Sequence, residues 1–129
     1  MINNSEFLDL KQIRIVEKLF DLIAKAGLIN LDPDDIQHFL KDAKSLTIQS
    51  VSIKNATRED VEKSGILSEE LKKSQRCIIS ITGNASVTLS DIDTIVGAIS
   101  SFNSCEYNFS TLYDENQKGY KVDTFLVKI

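Results

Sequence analysis

Between Leu8 and Ala26 apolar residues recur at helical spacing in two adjoining stripes. Ile13, Val16, Phe20 and Ile23 form one, and Ile15, Leu19, Leu22 and Ala26 the other. Together they are wider than the single face of a surface helix. The width predicts a helix in need of cover on two sides, with Ile15, Leu19 and Leu22 as a partner or oligomer face. Cover from the domain's own elements, or plain tolerance of exposed Leu and Ile, is the alternative. A second stripe, Ile36, Phe39, Leu40 and Ala43, predicts a second helix.

Leu46 to Ile53 nearly alternates but slips at Gln49-Ser50, which predicts a strand with a bulge. Asn55 to Lys73 is polar, and Thr57 followed by Asp60 predicts a short helix over 58–64, with another helical turn over 68–74. Cys77 to Thr82 is an almost continuous apolar run, the pattern of a buried strand. Gly83-Asn84 marks a turn. Ser90, with Asp93 three residues on, is read as the cap of a helix carrying Ile92, Ile95, Val96 and Ile99. Two strands follow, Glu106–Tyr113 and Tyr120–Ile129, joined by the polar turn Asp114–Gly119. This order predicts an α+β fold: a mixed four-stranded sheet packed with helices on at least one face. The helical crossover between the second and third strands is long enough for a parallel pair.

The chain has 129 residues, 42% hydrophobic and 26% charged, with net charge −4, which suits one globular domain. Lys and Arg are scattered, so neither nucleic acid nor an anionic membrane is an expected partner. Met1 to Phe7 lacks the charged and apolar regions of a signal peptide, and no apolar run is long enough to span a bilayer. A cytoplasmic location is expected, with Cys77 and Cys105 as reduced thiols and Cys77 buried. His38, the one histidine, is expected to face solvent, because metal sites and triads are not built from an isolated His.

The segment joining the first two helices, Gly27-Leu-Ile-Asn30-Leu-Asp32-Pro33-Asp34-Asp35, holds the candidate chemistry. Gly27 is a helix stop, Asp32 an N-cap, and Pro33 the first helical residue. On this reading the carboxylates serve the helix start alone. The pattern Gly27-x-x-Asn30-x-Asp32-x-x-Asp35 also resembles the synergy loop of the tubulin/FtsZ superfamily, and Asp21-Leu22-Ile23 before it resembles FtsZ too. So do Ile78-Ile-Ser-Ile-Thr-Gly83, Thr88-Leu-Ser-Asp91 and Tyr113-Asp114-Glu115 near the end. Residues 45–74 match weakly, and Gly83-Asn84 stands where FtsZ typically has two glycines.

The resemblance implies the FtsZ C-terminal domain with its preceding helix: residues 1–26 as the central-helix-like element and 27–129 as the α+β domain. Asp32 and Asp35 would then be carboxylates acting in trans on a partner's GTP. Gly27, Asn30 and Asp34 would make loop and partner contacts, Asp35 would point away from its helix, and Asp32 would shape the loop. The five glycines, Gly27, Gly65, Gly83, Gly97 and Gly119, lie far apart, so no phosphate-cradling loop is present. No cofactor is expected in this chain, with GTP and Mg²⁺ reached only through a partner subunit, and no metal site. The expected function is an interaction module docking on an FtsZ- or tubulin-type GTPase in cell division or the cytoskeleton. A split half or fragment of such a GTPase, and a small homo-oligomeric regulatory domain, are the alternatives. Met1 and the dissimilar Ile2–Asp9 read as a native start.

Overall fold

The computed structural model describes residues 10–24 and 30–129, except the side chains of 23 and 24. The helix boundaries expected at Leu8 and Ala26, and Gly27 itself, lie outside the described residues. The elements are α1 (Leu10–Ala24), α2 (Pro33–Leu40), β1 (Ser45–Ile53), α3 (Arg58–Lys63), α4 (Glu69–Lys73), β2 (Arg76–Gly83), α5 (Leu89–Ser100), β3 (Glu106–Tyr113) and β4 (Tyr120–Lys128). The four strands form one mixed sheet in the order β1-β4-β2-β3. β4 runs antiparallel to β1 and β2, and β2 pairs in parallel with β3.

Helices cover both faces of the sheet. On one face, Leu19 and Leu22 of α1 and Ile36 and Phe39 of α2 pack on Leu46, Ile78, Phe125 and Val127. On the other, Val61, Ile66, Leu71, Ile92, Ile95 and Ile99 pack on Ile53, Cys77, Ile79, Ile81, Val122 and Leu126. Successive residues of β2 and β4 feed opposite cores, which is why both strands read as apolar runs. The expected bulge in β1 is not there, since Ser45 to Ile53 pairs one-to-one with β4. The slip in its pattern is a change of face: Leu46 and Ile48 pack towards α1 and α2, Val51 and Ile53 towards the other core. The start of α5 is also two residues earlier than expected. Thr88 is the N-cap and Asp91 completes a capping box, while Ser90 lies within the first turn.

The partner face assigned to Ile15, Leu19 and Leu22 is overturned. These side chains are only 6%, 0% and 3% exposed and belong to the core beneath α1. The sheet takes this stripe, and of the adjoining one Val16 is partly packed against the same core. The outward stripe is Leu10, Ile13 and Phe20, 65%, 40% and 41% exposed.

Two measurements check this packing. Leu19→Ala is expected to cost about 2–5 kcal/mol in chemical denaturation, as a cavity in a closed core does. Phe20→Ser should stay within about 0.5 kcal/mol of the parent. At α5, the Tyr120 hydroxyl donates to Asp91 Oδ2 at 2.8 Å, and the Thr88 N–H donates to the same oxygen at 3.1 Å. The Tyr120 bond, then those from Thr88, hold the Asp91 carboxyl below its ordinary range despite some desolvation. A carboxyl lowered on folding contributes stability above its unfolded value and loses it as pH falls through the folded one. The stability gap between the parent and Asp91→Asn should therefore be full above about pH 4 and shrink below it, read as urea midpoints against pH.

Candidate functional site

The segment entering α2 is held at three points. Asp32 is the N-cap, with extended backbone at φ −104° and ψ 169°, and Pro33 supplies the first helical residue. The Asp35 N–H donates to Asp32 Oδ1 at 2.9 Å, and the Asp32 N–H donates to Asp35 Oδ2 at 3.0 Å. Leu31, just before the cap, and Ile36, on the fourth helical residue, are both buried in the α1-side core. This is a capping box with the positions of a hydrophobic staple, which together fix how the chain enters the helix.

That geometry reverses one expected division of labour. Asp35 does not point away from its helix, because its carboxylate is turned back onto the Asp32 amide. Asp34, one residue earlier, is exposed, and its carboxylate makes no hydrogen bond or ion pair with the described residues. The carboxylate presented outward is therefore Asp34, with Asp32 and Asp35 engaged in the cap. Asn30 is exposed at the start of the same segment.

The far end of α2 is tied to the sheet by Arg76, which the pattern of the sequence did not single out. One guanidinium nitrogen, Nη1, donates to the carbonyls of His38 at 2.8 Å, Phe39 at 3.3 Å and Lys41 at 2.5 Å. Those carbonyls end a helix, where cations are favoured. His38 faces solvent, as expected, and its Nε2 is hydrogen-bonded to Glu106 Oε2 at 2.7 Å. The bond from His38 holds the Glu106 carboxyl below its ordinary range. A basic residue directly before an apolar strand was the available signal for Arg76, but only the fold shows which helix end it meets. Among the described residues no group of three or more His, Cys, Asp and Glu could hold a metal ion. No described helix is long and apolar enough to cross a membrane.

No family model matches the chain. Comparison with solved structures is decisive for the fold. A W319Y mutant of FtsZ from M. jannaschii matches 100% of this chain with TM-score 0.70 at 20% identity. The chain has an FtsZ-like C-terminal-domain fold. An empty FtsZ dimer from the same organism matches 98% of the chain with TM-score 0.72 at 19% identity. GDP-form protofilaments of TubZ from Bacillus thuringiensis serovar israelensis match 95%, with TM-score 0.59 at 15% identity. The match covers 43%, 41% and 37% of those chains respectively, so this chain spans roughly two-fifths of their length.

The capping box makes a specific energetic claim. Asp32→Ala and Asp35→Ala each remove one of its two bonds, so each is expected to cost about 0.5–2 kcal/mol, whereas Asp34→Ala should be close to neutral. Thermal melts of the three variants decide whether Asp35 works for the helix in this way.

Proposed function

We propose that this chain is an interaction module that docks through its acidic segment, Asn30 to Asp35, on the nucleotide face of an FtsZ- or TubZ-type GTPase subunit. One observation carries the reading. The whole chain shares the fold of about two-fifths of FtsZ, 43% in one structure, while a rigid helix entry presents to solvent the Asp34 carboxylate, which has no partner among the described residues. The matched structures include an FtsZ dimer and TubZ protofilaments, so association between subunits is a property of those proteins. In this reading Asp34, with Asn30, meets the partner, and Asp32 and Asp35 hold the segment in shape. GTP and Mg²⁺ belong to the partner, and the Asp34 carboxylate acts on its nucleotide in trans. A carboxylate that orients a water beside a bound triphosphate contributes about 10²–10⁴ in rate.

A second reading has its own support. The outward stripe of α1, Leu10, Ile13 and Phe20, is apolar and exposed, as in one part of a larger GTPase assembly whose remaining portion covers it.

Adding the purified chain to the FtsZ- or TubZ-type GTPase of its own organism tests the proposal. Phosphate release and light scattering are followed together. The expected result is a change in turnover or polymer mass that Asp34→Ala abolishes while leaving the melting temperature in place. Co-sedimentation with unchanged turnover in both parent and variant would overturn the role in trans, and failure to co-sediment would overturn the docking. Calorimetric titration of the chain alone with GTP and Mg²⁺ is expected to give no saturable heat.

A further inference from the structure

We propose that the free edge of β1 is a docking site for an extended, acidic segment of a partner protein, which adds to the sheet as a further strand. β1 is an edge strand nine residues long, and its outer side has no backbone partner among the described residues. Soluble proteins usually blunt such an edge with a charge, a proline or a bulge. Ser45-Leu-Thr-Ile-Gln-Ser-Val-Ser-Ile53 has no charged residue and no proline, and its pairing with β4 is unbroken. An edge left open in this way is a template for strand addition.

The second observation is what lies beside it. A groove of about 530 Å³ runs between the first half of α1 and β1, with Leu10, Ile15 and Ile48 as its apolar part. Lys11, Arg14 and Lys18 line the same groove. They stand at helical spacing along one line of α1, and none has an ion-pair partner among the described residues. An added strand places alternate side chains towards α1. Glutamates at those positions lay their aliphatic stems on Ile48 and Leu10 and bring their carboxylates to the three cations. The intervening side chains continue the other face of the sheet, beside Thr47 and Val51. The cations select the partner and speed its encounter, while the main-chain bonds of the edge supply the affinity. This surface is separate from the acidic segment that enters α2, so the proposal stands or falls independently of docking on a GTPase.

Fluorescence anisotropy with a labelled peptide of alternating valine and glutamate, of strand length, tests it on the full chain. The expected result is saturable binding that weakens with added salt, and slowed amide exchange over Ser45–Ile53. Lys11→Glu combined with Arg14→Glu should weaken binding by about tenfold or more. Both positions are exposed, so circular dichroism should show the fold unchanged, and the milder Lys11→Gln with Arg14→Gln should give an intermediate loss. An alternating valine–lysine peptide that binds equally well would overturn the proposal, as would exchange slowed elsewhere but not in β1. Self-association of the chain that buries β1 and excludes the peptide would overturn it as well, by giving the edge to a second copy.

Discussion

Burial of β4 and β2 on both faces is the constraint on which the rest of the molecule depends. Phe125 and Val127 of β4 face one core while Val122 and Leu126 face the other, and all four are at most 2% exposed. A sheet with apolar side chains on both faces requires cover on both. α1 and α2 supply one layer, and α3, α4 and α5 the other. Removing either layer would expose a continuous apolar surface, so α1 is a structural part of this fold and not an appendage to it.

The same constraint explains how the acidic segment can be both exposed and well defined. α2 is short, and isolated helices of its length are not stable in water. It persists because its ends are anchored in the folded domain: Leu31 and Ile36 enter the core at one end, and Arg76 holds three carbonyls at the other. Between these anchors the backbone has little freedom. The exposed Asp34 is therefore presented by a rigid support, the arrangement a recognition site needs.

The match to FtsZ and TubZ at 14–20% identity shows how few positions such a fold demands. What must persist is the alternation that feeds two cores and the caps that start helices, and many sequences satisfy both. Function is not carried by that framework; it resides in what the framework leaves outside. Here that is an acidic helix entry, an apolar stripe on the outer side of α1, and an unguarded strand edge beside three cations. The last two meet at Leu10, which belongs to the outer stripe and also lines the groove beside β1.

Much of this was legible in the chain itself. Strand boundaries at Glu106–Tyr113, the α2 cap at Asp32-Pro33 and the α+β order follow from local periodicity and turn chemistry, which act over a few residues. Tertiary structure decided the points where two local readings were equally good. Ser90 with Asp93 reads as the cap of α5, but the cap formed is Thr88 with Asp91, to which Tyr120, distant in sequence, adds a bond. The slip in β1 reads as a bulge until the second layer of helices shows that each half of the strand serves a different core. Two stripes on α1 were visible, but which one faces the sheet depends on the direction from which the sheet arrives. Which carboxylate in the first turn of α2 stands clear of the cap was settled by whether Asp35 turns back to the Asp32 amide, a choice of side-chain orientation that spacing alone does not encode.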